Sequence, residues 1–502
     1  MPPLLRTKFM RRVVIIGGGI SGLAAAHRLI ESSSQSDEPL EVLLLEAGPQ
    51  LGGVISTEHR DGFLFEGGPD SFISEKPEAI ELAKRIGLSS NLIETNKEHR
   101  RSFIVRGGKL RPVPEGFHLL APSRIWPFVT SDILSLPGKA RLALDLFLPR
   151  ASFTNGEADE SLASFVRRRL GREALERVAQ PMVGGIYTAD PEKLSLRATM
   201  PRFLEMEREH GGLIRALWKR GSSPTVREGV TDEPAKAMNA GTSGARYSLF
   251  LSFDAGMQVL TNRLAERIAR SSTNLSLSDI RLNTEVDTLT FDSESAKTGK
   301  AKAWGVRTVG GELIAADAVC LALPAYASAR LLRNLDDQLA AELDDIPYAS
   351  TATINLAYRR EDIPHPLDGF GFVVPFIEKR TLMACTFSSV KFANRAAEGQ
   401  ALLRAFVGGA LQPDMFELDE DEMLRRVRDD LRALLGIENA PLFAQVAKWP
   451  RSMPQYHVGH LDRVKRIEKL VAVLPGLALA GNAFHGPGIP DCIRSGWRAA
   501  GR

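Results

Sequence analysis

After a short basic stretch the chain opens on an apolar run, Val13-Val-Ile-Ile16. It gives way at once to Gly17-Gly18-Gly19-Ile20-Ser21-Gly22 and then to Leu23-Ala-Ala-Ala-His-Arg-Leu29. A short apolar run bounded by glycine predicts a buried strand, and the small residues after it predict a helix packed on that strand. A second apolar run, Val42-Leu-Leu-Leu45, ends on Glu46 and completes a βαβ unit that closes near residue 85, with the polar stretch 32–39 read as a loop. From Pro77 to about Gly212 the pattern is mostly helical, punctuated by prolines and by one hairpin at 105–114. Residues 221–247 are rich in Gly, Ser and Thr without period and read as a linker.

Strand patterns resume at 247–253, 281–291, 303–309 and 318–323, with a polar turn at 292–302, and residues 350–410 alternate as a sheet does. Acidic residues at 417–422 open an amphipathic helix that ends near Leu435. The chain then returns to a short strand, Leu477-Ala-Leu-Ala480, followed by Gly481-Asn482, a turn through Gly488-Ile489-Pro490-Asp491, and a helix from Cys492 to Ala500. Pro490 suits a first helical turn, where its missing N–H costs nothing.

Length and charge narrow the class. With 502 residues, two or three domains are expected. A net charge of +3 gives no argument for a nucleic-acid partner. The first twelve residues lack the apolar core of a signal peptide, and no uninterrupted apolar run is long enough to span a bilayer. The three cysteines are far apart, which fits a reducing, cytoplasmic setting, and Cys320 reads as a buried small hydrophobe.

The chemistry lies in the glycines. Gly17-x-Gly19-x-x-Gly22 between a strand and a helix lets backbone approach a pyrophosphate and aims a helix N-terminus at it. Glu46, 24 positions after Gly22, is placed to accept hydrogen bonds from an adenosine ribose. Ala47 follows, and Gly52-Gly53 adds a second glycine pair like that of FAD-dependent amine oxidases and desaturases, with Gln50 where that family has a basic residue. A third cluster, Gly67-Gly68-Pro69-Asp70-Ser71, stands where that family lays backbone along the flavin. Three successive glycine sites indicate FAD rather than a nicotinamide. No Ser/His/Asp arrangement and no zinc spacing stands out, so no general base is assigned. His457 and His460 lack a third ligand, and no metal is expected.

Across nearly its whole length the chain resembles the oxygen-dependent protoporphyrinogen oxidases of the flavin amine-oxidase superfamily. The resemblance rests on the glycine clusters and on the blocks 159–165, 181–187, 253–260, 366–371, 449–459 and 481–493. It implies an α/β fold: a Rossmann-like FAD-binding domain of the amine-oxidase type, a mixed-sheet substrate domain and a helical, membrane-associating domain. The expected boundaries are 10–85, 248–330 and 448–502 for FAD, 86–210 for the helical domain, and 211–247 with 331–447 for the substrate.

The implied reaction takes a porphyrinogen to the porphyrin in three two-electron rounds. Each passes a hydride to flavin N5, and O2 is reduced to H2O2. Protoporphyrinogen IX is the leading substrate. Coproporphyrinogen III, used by related bacterial enzymes, is the alternative, and an amine oxidase or carotenoid desaturase on the same scaffold is more distant. A flavin-binding protein without turnover is the non-enzymatic contrast.

The same resemblance implies FAD contacts from Gly17, Gly18, Gly19, Ile20, Ser21, Gly22, Glu46, Ala47, Gly52, Gly53, Gly68, Pro69, Asp70, Ser71, Val286, Trp449, Gly481, Asn482, Gly488, Ile489 and Pro490. It implies a macrocycle sandwiched by Leu367 and Phe387, with Thr351 and Gly185 beside it. Ser102 stands where plant and animal members carry a carboxylate-pairing arginine, so the adjacent Arg101 is the candidate anchor. The implied partners are the porphyrinogen, O2, a membrane surface contacted peripherally through 119–150, and ferrochelatase as receiver of the product. The implied assembly is a monomer or homodimer.

Overall fold

The structure, a computed structural model, describes residues 10–36, 39–118, 121–122, 124–150, 159–222, 250–270, 276–298 and 302–501. All but the first two residues of the 221–247 linker lie outside these, as does the start of the strand read from 247.

A five-stranded, all-parallel sheet gathers segments from the whole length of the chain. Its order is Ser276–Arg281, Leu40–Leu45, Arg11–Ile16, Ala318–Leu321, Leu477–Leu479. The stretches Val14–Ile16, Val42–Leu45 and Val319–Leu321 of its three central strands are apolar on both faces because both are covered. The helices Ile20–Ser36, Gln258–Ala269 and Ile489–Ala500 supply one face. A three-stranded antiparallel sheet (Val286–Phe291, Trp304–Thr308, Leu313–Ala316) lies in the core of the other. The N-terminal and C-terminal helices pack directly on each other. At Gly496 a side chain would overlap the backbone oxygen of Ser21, so glycine sets how closely the two chain ends approach.

A second, seven-stranded mixed sheet runs in the order Phe443–Pro454, Tyr348–Arg359, Gln400–Gly408, Ala384–Phe387, Gly371–Val373, Phe103–Arg106, Lys109–Pro112. Its long strands are antiparallel, and the alternation over 350–410 is theirs. The helix Glu420–Leu435 covers it. Asp419 caps that helix by accepting from the Glu422 N–H at 2.8 Å, and Gly436 ends it with φ +75°. A third core is mostly helical, built on Leu162–Arg169, Gln180–Tyr187, Pro201–His210 and their neighbours.

Four sequence expectations are corrected. The N-terminal helix runs through Ser36 rather than ending before a loop at 32; Ser34 Oγ donates back to the Ile30 carbonyl at 2.9 Å, which lets a serine run stay helical. The stretch 281–291 is two strands in two sheets, divided at Asn283 with φ +51°. Within the polar turn at 292–302, Ser293–Thr298 is a helix started by Asp292, which accepts from the N–H of Glu294 and Ser295. The mostly helical stretch 77–212 holds the expected hairpin, Phe103–Arg106 with Lys109–Pro112 at the edge of the seven-stranded sheet, but also the strands Leu92–Glu94, Phe117–His118 and Ala121–Pro122, which the pattern did not predict.

Candidate active site

The carboxyl ends of the central parallel strands converge on the first glycine turn, where an open α/β sheet places its ligand. The Gly17 N–H donates to Leu45 O at 2.8 Å, and the Gly52 N–H donates to Gly18 O at 2.9 Å, so the first two glycine sites form one surface. Gly22 packs so tightly that a side chain there would overlap the Gly17 carbonyl oxygen, whereas Gly19 has nothing within 4 Å of where its Cβ would be. The turn is closed on its inner side and open on its outer one. Glu46 is held at the end of its strand by two backbone donors, Gly18 N–H at 2.6 Å and Gly48 N–H at 2.7 Å.

The third cluster is pinned from the mixed sheet. The Gly67 carbonyl accepts from Thr353 Oγ1 at 2.7 Å and Trp449 Nε1 at 2.9 Å, and the Gly68 carbonyl accepts from Arg404. At Gly68 a side chain would overlap Val54 O, so this cluster also abuts the second. Asp70 pairs with Lys391 at 2.9 Å. Burial would raise the Asp70 carboxyl, but Lys391 and Arg404 overcome it and hold the group well below the usual carboxylate range.

The far end of the chain closes the site. Ser495 Oγ accepts from the Gly481 N–H at 3.0 Å, Tyr456 donates to the Asn482 carbonyl, and the buried His460 contacts the Phe484 carbonyl at 3.0 Å. The helix starts at Ile489, three residues before the expected Cys492, with Pro490 in its first turn. Asp491 in that turn is buried and paired with Lys76 at 2.5 Å and with Arg494.

Between these parts lies a cavity of about 750 Å³. The sequence-predicted residues Gly17, Gly19, Ile20, Ser21, Glu46, Gly52, Gly53, Pro69, Ser71, Trp449, Gly481, Asn482, Gly488, Ile489 and Pro490 line it. Gly18, Gly22, Gly68 and Asp70 stand behind that lining as packing or hydrogen-bonding support. Ala47 is exposed beside Glu46, and Val286 is buried in the core under the three-stranded sheet; neither is part of the wall.

The expected substrate contacts are not brought together here. Leu367 and Phe387 are buried in the core of the seven-stranded sheet, their bulk spent on packing. Thr351 pairs with Trp449 across two strands, one position removed from the wall. Gly185 lines a separate small cleft with Gln180 and Val374. Arg101 is ion-paired with Asp368, and its Nε donates to the Asp368 carbonyl at 2.6 Å, so its charge is already met.

In their place the wall carries residues the sequence reading missed: Ile186, Tyr187, the run Thr199–Phe203, Tyr326 and Arg451. The stretch Ala322-Leu323-Pro324 was findable, because it follows a central parallel strand at its carboxyl end. Ile186, Tyr187 and Arg451 fall in blocks that carried the resemblance without being singled out, and Thr199–Phe203 and Tyr326 come from helices and a helix junction with no motif of their own. Burial raises the thiols of Cys320 and Cys492 to about 12, so both are inert at neutral pH. No group of three or more metal-ligating side chains occurs among the described residues.

Comparison with known proteins agrees with this geometry. The flavin containing amine oxidoreductase family matches over residues 20–502. This chain belongs to that family. A coproporphyrinogen III oxidase of Bacillus subtilis is 34% identical over 97% of this chain and 96% of its own length. A chloroplastic protoporphyrinogen oxidase of Nicotiana tabacum is 29% identical over 97% of this chain and 84% of its own. A solved structure from Exiguobacterium sp. 255-15 superposes with a TM-score of 0.81 at 30% identity, covering 98% of both chains.

The chain is accordingly an FAD-dependent oxidoreductase, and its residues fit that cofactor. The open side of Gly19 leaves room for a diphosphate at a helix N-terminus. A second helix N-terminus, at Ile489, faces the same cavity. When bound, FAD supplies the two-electron acceptor; the protein supplies position and field.

Proposed function

We propose that the chain oxidises a porphyrinogen to the porphyrin in haem synthesis, with coproporphyrinogen III as its substrate: coproporphyrinogen III + 3 O2 gives coproporphyrin III + 3 H2O2. This reverses the order expected from sequence, which put protoporphyrinogen IX first. The observation that carries it is the full-length likeness to a coproporphyrinogen III oxidase, 34% against 29% for the plant protoporphyrinogen oxidase.

The roles of the chain's own residues follow from charge and position. Asp491 is neutralised by Lys76 and Arg494, so the carboxylate does not cancel the positive end of the helix dipole. Glu46 exchanges its two backbone donors for, or shares them with, ribose hydroxyls. Phe203, Tyr326 and Trp449 give the macrocycle an apolar wall that excludes water. The test is steady-state turnover of both porphyrinogens, followed by porphyrin fluorescence and oxygen uptake. A higher kcat/KM for coproporphyrinogen III is expected; a higher value for protoporphyrinogen IX overturns the substrate choice.

The same proposal includes peripheral membrane contact. No helix among the described residues is long and apolar enough to cross a membrane. Yet Trp126, Leu136 and Phe147 are 77%, 78% and 78% exposed on the helical unit. Such residues enter a lipid interface and anchor it. Cosedimentation with anionic vesicles should fall several-fold in Trp126→Ser/Phe147→Ser, with unchanged turnover in solution.

A further inference from the structure

The cavity wall carries cations whose partners differ. Lys76 is taken by Asp491. Arg202 and Arg451 line the same cavity, and neither makes an ion pair with another described residue within 4.0 Å. Arg202 is the sharper case. It follows Pro201 at the start of the helix Pro201–His210, and its guanidinium lies over the Phe203 ring at 5.4 Å from the centroid. Its Nε is shut off from solvent and has no hydrogen-bond acceptor. Arg111, Arg197, Arg380 and Arg404 also leave a buried Nε without an acceptor, but among these arginines only Arg202 lines the cavity, so its charge is the one an incoming carboxylate can meet. Arg451 is exposed, held with φ +45°, and stacks on Tyr326 at 3.9 Å from the ring centroid.

We infer that Arg202 is the principal receiver for a carboxylate of the substrate and that Arg451 is a second, weaker one. Together they replace Arg101, whose charge Asp368 consumes. The inference deepens the proposed function and rests on it. Both arginines stand on the wall contributed by the helical unit and the end of the mixed sheet. The first-turn backbone of the helices beginning at Ile20 and Ile489 lines the same cavity. A bidentate guanidinium matches a carboxylate and fixes the rotation of a macrocycle that carries several.

The experiment uses the FAD-loaded enzyme and its variants Arg202→Gln, Arg202→Lys and Arg451→Gln. For Arg202→Gln, KM for coproporphyrinogen III should rise on the order of 10- to 100-fold, with kcat changed less than about threefold. Arg202→Lys should recover part of the loss, and Arg451→Gln should raise KM only a few-fold. Flavin content and the visible flavin spectrum should not change in any of them. Unchanged KM in Arg202→Gln, in an enzyme whose wild type turns over, removes Arg202 from substrate binding and leaves the proposed function standing. Loss of flavin from Arg202→Gln with KM unchanged in the remaining holoenzyme assigns Arg202 to the cofactor and overturns the inference. Absence of wild-type turnover with either porphyrinogen overturns both.

Discussion

The two walls of the cavity are made by different means. The glycine wall is backbone. Its groups are peptide N–H and C=O from Gly17–Gly22, Gly52–Gly53 and Gly67–Gly68, and its shape is fixed by where side chains are missing. The rest of the lining is side chain. Tyr187, Arg202, Phe203, Tyr326 and Arg451 come from helices and a strand end far apart in the chain. A backbone wall tolerates few substitutions, because a single Cβ collides with a peptide oxygen. A side-chain wall can be rewritten one residue at a time while the frame stays put. On the proposed reading the first wall serves the cofactor and the second the substrate.

The largest effect should come from setting two glycines of one turn against each other. Gly22→Ala forces a Cβ into the Gly17 carbonyl and should cost about 3 kcal/mol or more, read as loss of soluble protein or a large fall in urea midpoint. At Gly19 the Cβ of Gly19→Leu meets nothing within 4 Å, so the apoprotein should keep its urea midpoint and lose its flavin colour. If both variants keep flavin, the backbone wall is not the cofactor site.

Next is the hinge between the walls. Tyr456 and His460 stack at 4.2 Å between centroids and hold the turn at Asn482–Phe484 by its carbonyls. Burial pushes the His460 imidazole down to about 4. The unfolded chain takes up that proton below its ordinary value of 6.5, while the native protein resists until about pH 4. Stability is therefore full above about pH 6.5 and falls as pH drops toward 4, by about 3 kcal/mol. Urea midpoints at pH 7 and pH 4.5 should differ less in His460→Gln than in the wild type.

The smallest effect belongs to Trp449→Phe, which removes one hydrogen bond to the Gly67 carbonyl while Thr353 keeps another. About 1 kcal/mol of stability should be lost, with a shifted flavin spectrum marking the disturbed third cluster.

The contrast also explains what was readable in the sequence. A backbone site needs glycines at fixed local spacing, and Gly17–Gly22, Gly52–Gly53 and Gly481 could be placed before any contact was known. The pairing of both chain ends in one parallel sheet left traces in two apolar runs followed by glycine. The side-chain wall left none. Thr199–Phe203 lies at a helix junction whose pattern reports only burial. Arg101 looked free until Asp368, 267 positions away, was seen beside it. Leu367 and Phe387 are large and apolar, which suits a core as well as a macrocycle, and the fold spends them on the core.

Anaerobic mixing of the flavin-loaded protein with coproporphyrinogen III is the most direct test of one cavity with a cofactor wall and a porphyrinogen wall. Loss of the oxidised flavin's visible absorbance is the predicted result, with porphyrin fluorescence rising only after O2 is admitted, because the full oxidation needs three rounds of two electrons. A flavin that stays oxidised with both coproporphyrinogen III and protoporphyrinogen IX, yet bleaches with a simple amine, would contradict it.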